Sequence, residues 1–138
     1  MTEDRAAAPR AWATVSIRRA TDQDRQGIWI VAAIRERFLV VSEDANGITG
    51  FGQLNQASGE VEAVYVLPDR QREGIGTALL RSLEEAARAA GLMQLSLSAT
   101  TNAVSFYERA GYTRGASAVH RLPNGVDLPC IRMSKTLP

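Results

Sequence analysis

The stretch Val61–Leu80, VEAVYVLPDRQREGIGTALL, carries the reading of the fold. Its first third holds Val61, Val64, Tyr65 and Val66, a β-rich run that Pro68 ends. Its last third begins the most periodic segment of the chain. Ile75, Leu79, Leu83 and Ala87 fall four apart, with Leu80 and Ala86 beside them. Arg81, Glu84, Glu85 and Arg88 take the other face, so the spacing predicts an amphipathic helix closed by Gly91 as its C′ residue.

Between strand and helix stand Gln71, Arg72, Gly74 and Gly76. A helix N-terminus presents about four unbonded N–H groups and a partial positive charge. Glycine lets an anion come close to that backbone, and Arg70 and Arg72 add full charge. The pattern Gln-x-x-Gly-x-Gly therefore suits a phosphate or pyrophosphate. A glycine turn that merely lets the helix pack on the strand is the competing reading, and this stretch alone leaves both open. No Gly-Lys-Ser/Thr follows, so it is not a Walker A loop, and Leu79 breaks the full dinucleotide fingerprint.

Working outward, the elements alternate in a definite order. Val15 and Ile17 begin a strand; Thr21 caps a helix reaching about Arg37; Phe38–Ser42 is β-rich. Asn46-Gly47 signals a hairpin into Ile48–Leu54, a strand weakened by Gly50 and Gly52. Ser58-Gly59 turns into the Val61–Val66 strand. Beyond the periodic helix, Leu92–Ala99 alternates as a strand, Asn102–Ala110 reads as a short helix, and Tyr112–His120 with Leu128–Ser134 close as a hairpin. The order β-α-β-β-β-α-β-α-β-β predicts an α/β fold: a mixed sheet of about six to seven strands with helices on both faces.

The 138 residues fit one domain, with 1–14 as a flexible tail and 15–138 as the folded unit. Sixteen basic residues face fifteen acidic ones, a net charge of +1. That balance argues against nucleic acid, whose binders carry a basic excess. The longest apolar run, Ile28–Ile34, is far short of the ~20 residues of a membrane span, and the charged N-terminus is no signal peptide. No membrane association and a cytoplasmic setting are expected. Cys130 is the only cysteine and His120 the only histidine, so neither a disulfide nor a Cys/His metal site is expected. Cys130 reads as a buried inert thiol, His120 as a hairpin residue, Trp29 as core or interface and Trp12 as an oligomer contact.

Two segments, in order, resemble the GNAT superfamily of N-acetyltransferases. Val61–Leu80 is similar to its motif A, a strand ending in Val-x-Pro followed by Q/R-x-x-G-x-G/A. Ser98–Arg114, SATTNAVSFYERAGYTR, is similar to motif B, and Arg132–Leu137, RMSKTL, to the last strand of many small members. The resemblance spans about Val15 to Leu137. It implies acetyl-CoA as co-substrate, with no metal. The backbone of Tyr65 and Val66 would bond the pantetheine arm as a pseudo-strand. The backbone of Gln71, Arg72, Glu73, Gly74, Ile75, Gly76 and Thr77 would hold the pyrophosphate. Glu73 departs from the family's small or basic residue, and a carboxylate there is unfavourable unless it points to solvent.

The resemblance further implies Tyr107 as the general acid for the leaving thiolate. On its own, Tyr107 beside Phe106 reads as a core aromatic; with the family, Asn102, Phe106 and Tyr107 join the cofactor-binding set. Asn102 also reads as a helix cap. Glu60 and Glu62 are the candidate bases, sharing one face if their strand is regular and not if it bulges. Solvated edge carboxylates are the competing reading. The implied reaction is direct attack by a primary amine, of a small molecule or a protein, in a ternary complex. Only Ala20–Arg37 lies between the first two strands, fewer residues than the family usually places there, so the acceptor side is either more open than usual or completed by a partner subunit, and a homodimer is the expectation. Two other classes stay open on sequence: a module that holds acyl-CoA without turnover, and an interaction domain with no CoA.

Overall fold

The computed structural model describes residues 16–21 and 37–138. The predicted first helix, Trp12, Trp29 and the N-terminal tail lie outside the described residues. Seven strands form one sheet: β1 (Ser16–Arg19), β2 (Phe38–Asp44), β3 (Gly47–Asn55), β4 (Glu60–Val66), β5 (Gln94–Thr100), β6 (Thr113–Arg121) and β7 (Asp127–Thr136). Their order is β1-β2-β3-β4-β5-β7-β6. Only β4 and β5 run parallel; every other pairing is antiparallel. The mixed α/β fold expected from the element order is therefore observed.

Helix α1 (Ile75–Ala89) is the crossover between β4 and β5. It buries Ile75, Leu79, Leu80, Leu83 and Ala87 against the sheet. Each of the isoleucine and leucine side chains contributes about 1.5–3 kcal/mol on full burial. Gly50 and Gly52, which weaken β3 on propensity alone, have a packing reason. A Cβ on Gly52 would stand 3.2 Å from Leu83 Cδ1, and one on Gly50 would stand 3.2 Å from Leu79 Cδ1. The two glycines are the floor on which α1 lies. Gly91 follows the helix with φ +83, as a C′ residue should.

Helix α2 (Val104–Arg109) follows a 3-10 turn at Thr101–Ala103. Its Val104 and Tyr107 join the same core as the α1 leucines. A smaller cluster, Leu39 and Val41 with Ala20, Ile48 and Phe51, forms around β2.

One expectation for α1 is corrected. Glu84 does not face solvent: it is only 4% exposed. Tyr112 Oη donates to its Oε2 at 2.8 Å, and Lys135 Nζ donates to both its oxygens at 3.2 Å. Lys135 also donates to the Ala110 carbonyl at 2.9 Å. The helical period puts position 84 at the border of the apolar stripe, and two donors from the far side of the core draw it in.

Candidate active site

The site begins where two strands part. β4 pairs with β5 only at Glu60–Ser96 and Val61–Leu97. Along its other edge β4 stays paired to β3 up to Gly50–Val66. From Glu62 onward, the β5-facing edge of β4 has no strand partner. Such an edge is a template for another extended backbone.

A cavity of about 520 Å³ lies beside this fork. That is the size of a small-ligand pocket. Val64 and Val66 line it from β4, and Arg70, Gln71, Arg72, Gly74, Gly76 and Thr77 from the loop and first turn of α1. Asn102, Ala103, Phe106, Tyr107 and Arg109 line it from the motif B side. The fold thus brings together most of the residues named from sequence.

The loop geometry explains the glycines. Gly74 is the N-cap of α1, with φ +85, a left-handed conformation that suits glycine. No side chain caps this helix, so the N–H groups of its first turn have no side-chain partner. Gly76 has a different reason: a Cβ there would stand 3.3 Å from the Phe106 ring. It lets α2 approach α1, which is the packing reading, while Gly74 opens the helix mouth. Arg72 holds φ +68, a strained choice for a side chain. Gln71 Nε2 donates to the Val66 carbonyl at 3.3 Å, tying the loop to the end of β4.

The charges around the loop sort into paired and unpaired. Arg70 bonds Asp44 at the end of β2 and lies 3.8 Å from Glu73 Oε1. Asp44 is held below the usual carboxylate range by the Asn46 N–H and by Arg70. Glu73 does not line the cavity; its carboxylate turns toward Arg70 rather than toward open solvent. Arg72 and Arg109 line the cavity without a carboxylate partner among the described residues. Arg109 is a site residue that sequence reasoning missed. Its spacing from Phe106, one helical turn, was the available signal.

Tyr107 is 8% exposed, its ring set edge-on to Phe106 at 5.0 Å and to Tyr112 at 5.8 Å. Burial pushes its phenol up to about 12. It therefore keeps its proton at neutral pH. Asn102 is no cap: the N-cap of α2 is Ala103, with no side-chain bond. Asn102 Oδ1 instead accepts from Thr100 Oγ1 at 2.7 Å. The Ile75 side chain is in the core and the Tyr65 ring stacks at 5.7 Å on Phe51, so both are candidates through their backbone alone.

The two candidate bases diverge. β4 bulges at Glu62, since Gln53 pairs with Ala63 while Leu54 pairs with Val61. Glu60 reaches toward β7, where Arg132 grips both its oxygens at 2.7 and 2.9 Å. Glu62 reaches toward β3 and β2: Gln53 Nε2 donates to Oε1 at 2.7 Å and Arg37 Nε to the same oxygen at 2.8 Å. Glu60 is thus a saturated ion pair, whereas Glu62 Oε2 has no partner among the described residues. Cys130 is buried, as expected, and His120 is exposed on β6, with neither lining the cavity. Among the described residues no cluster of potential metal ligands occurs and no helix is long and apolar enough to cross a membrane.

This arrangement has known relatives. A family model described as an acetyltransferase (GNAT) domain matches residues 35–114. Mycothiol acetyltransferase of Thermobispora bispora is 30% identical over 125 residues, covering 75% of this chain. The uncharacterized N-acetyltransferase YjcF of Bacillus subtilis is 32% identical over 75 residues, covering 53% of this chain. The chain spans 42% of the length of the first and 54% of the second. Among solved structures, a GCN5-related N-acetyltransferase from Rhodopseudomonas palustris superposes with a TM-score of 0.80 at 22% identity, over 90% of this chain and 96% of that one. A GNAT family acetyltransferase from Elizabethkingia anophelis with acetyl-CoA bound superposes with a TM-score of 0.69 at 16% identity, over 90% and 99%.

Proposed function

The chain belongs to the GNAT acetyltransferase family, and from that premise we propose that it moves an acetyl group from acetyl-CoA to a primary amine, of a small molecule or a protein, in the cytoplasm. The observation that carries this reading is the fork: β4 loses its β5 partner after Val61, beside the cavity. The residues present fit the co-substrate. The free edge of β4 at Val64–Val66 would hold the pantetheine amides. The uncapped first turn of α1, with Arg72 and Arg109, would hold the phosphates. Acetyl-CoA supplies an activated thioester and needs no metal.

The chain supplies the proton traffic. The attacking nitrogen forms its bond to the acetyl carbon as the carbon–sulfur bond breaks. The nitrogen loses one proton, which Glu62 Oε2 takes and returns to solvent. The leaving sulfur takes a hydrogen bond and then a proton from the Tyr107 hydroxyl, which solvent reprotonates. Because the phenol at about 12 is a weaker acid than an ordinary thiol, its role rests on holding that hydrogen against the sulfur as charge develops. Glu60, held by Arg132, fastens β4 to β7. A homodimer remains part of the proposal; a single monomer mass in solution overturns that part.

The test is a calorimetric titration with acetyl-CoA, followed by thiol release across a panel of primary amines. Micromolar binding, with turnover that falls ~100-fold in Glu62→Gln at unchanged acetyl-CoA affinity, supports the reading. A folded protein that does not bind acetyl-CoA overturns it.

A further inference from the structure

Gln53 is the most unusual polar residue near the fork. It sits in the middle of β3 and is 7% exposed. Its amide orientation is fixed by chemistry: an ionised carboxylate only accepts, so the NH₂ group faces Glu62. That leaves Gln53 Oε1 pointing away from Glu62, buried and without any hydrogen-bond partner. Buried acceptors in folded proteins are nearly always satisfied, and an exception calls for a reason.

The register gives the reason a place. Gln53 stands opposite Ala63 on β4, and beyond Ala63 lies the unpaired edge of the fork. Paired residues share a face of the sheet, so Gln53 and Ala63 stand side by side on the face away from α1, with the open edge of β4 next beyond Ala63. Glu62, the next residue, is the first on β4 past its last pairing with β5. Its Oε1 is taken by Gln53 and Arg37, and its Oε2 has no partner among the described residues. Two acceptor oxygens without a partner among the described residues, one amide and one carboxylate, therefore flank a single hydrogen bond at the β4 bulge, where pairing with β5 ends.

We propose that Gln53 is an acceptor-binding residue: its Oε1 receives one N–H of the incoming amine while Glu62 Oε2 receives the other. This rests on the acetyltransferase reading and adds a substrate rule to it. An uncharged primary amine has one lone pair and two hydrogens. With both hydrogens held by Gln53 and Glu62, the lone pair is left aimed at the acetyl carbon. A secondary amine has one hydrogen and leaves Gln53 Oε1 buried and unmet. Arg37 on the shared Glu62 oxygen balances the carboxylate charge, so the pair selects for hydrogen-bond count rather than for positive charge. A site built around buried acceptors rejects ligands that lack the matching donor.

The experiment follows the side-chain NH₂ resonances of Gln53 in ¹⁵N-labelled, CoA-loaded protein. Glycinamide is the primary-amine probe and sarcosinamide, its N-methyl analogue, the secondary one. Glycinamide is expected to shift the Gln53 resonances with millimolar affinity, the range open to so small a ligand. Sarcosinamide should bind ~10-fold more weakly, the usual size of one lost hydrogen bond in a buried site. Gln53→Met keeps the length of the side chain and removes both polar atoms. Read in both proteins from the backbone amide shift of Ala63, the strand partner of position 53, it should cost glycinamide ~10-fold and bring the two probes within about twofold of each other. Unmoved Gln53 resonances with both probes overturn the proposal. So does a Gln53→Met protein that folds and keeps the wild-type preference. If that variant does not fold, the wild-type titration alone decides. Failure to load CoA overturns the acetyltransferase reading; in protein that does load CoA, unmoved Gln53 resonances overturn this proposal alone.

Discussion

The first turn of α1 and the half of the helix that follows its middle handle polar groups in opposite ways. At its start, the first-turn amides have no side-chain cap, and Arg72 and Arg109 have no carboxylate partner among the described residues. Within the same helix, Glu84 is buried and accepts from Tyr112 and Lys135. Both places are polar and both border the core, but one is saturated and the other is left open. Saturated groups hold a scaffold; open ones wait for a ligand. The contrast between Glu60 and Glu62 repeats the lesson on a single strand.

Removing one partner from the saturated place should have the largest effect. Lys135→Met strips Glu84 of the cation it pairs with among the described residues, and breaking a buried pair costs about 3–5 kcal/mol. Lys135 is partly exposed, so the lower part of that range is expected, read as a shift of the urea midpoint with acetyl-CoA affinity of the folded protein unchanged. A loss under about 1 kcal/mol would mean that the network is not what closes the core.

Tyr107→Phe comes next and acts at the open place. Turnover should fall ~100-fold while acetyl-CoA affinity holds, as for loss of a general acid. The pH profile sharpens this. With the folded-state phenol raised from 10.0 to about 12, its protonated form persists through ordinary alkaline conditions. Its contribution to stability is full below pH ~10 and is lost as pH rises through about 12. An alkaline limb of activity near pH 9 that disappears in Tyr107→Phe would show that burial does not raise this phenol in the working enzyme; turnover unchanged in Tyr107→Phe would overturn the assignment.

Arg72→Gly should separate stability from binding. Glycine relieves the positive φ, so the melting temperature should hold or rise, while acetyl-CoA affinity falls ~10-fold with the lost charge. A fall in both would show that Arg72 serves the fold. The smallest effect belongs to an exposed pair, Arg114 with Glu108. Arg114→Ala should leave the urea midpoint where it is, since solvent screens such pairs.

How much of this the sequence reveals depends on whether the cause is local. The α1 stripe, its C′ glycine and the turn at Pro68 are local, and periodicity finds them. The helix mouth is legible for the same reason. The fork is not, because nothing in a strand's own residues states where its neighbour leaves it. Gly50 and Gly52 read as weak strand residues until α1 lies across them. Glu84 reads as solvated until Tyr112 and Lys135 arrive from far along the chain. Asn102 reads as a cap, yet its oxygen is spent on Thr100. Gln53 drew no notice because one amide in an apolar run carries no periodic signal; only the register beside Ala63 gives it meaning.

The one-sided pairing of β4 has a consequence for the lifetime of the protein. A sheet with a strand missing from its middle is unfinished, and whatever supplies that strand also braces the fold. A co-substrate at about a hundred times its dissociation constant would add about 2.7 kcal/mol to stability. The amides along Val64–Val66 would then exchange with solvent slowly in its presence and quickly without it. The protein would be sturdier in a well-fed cell than in a starved one, so that its own turnover reports the supply it draws on.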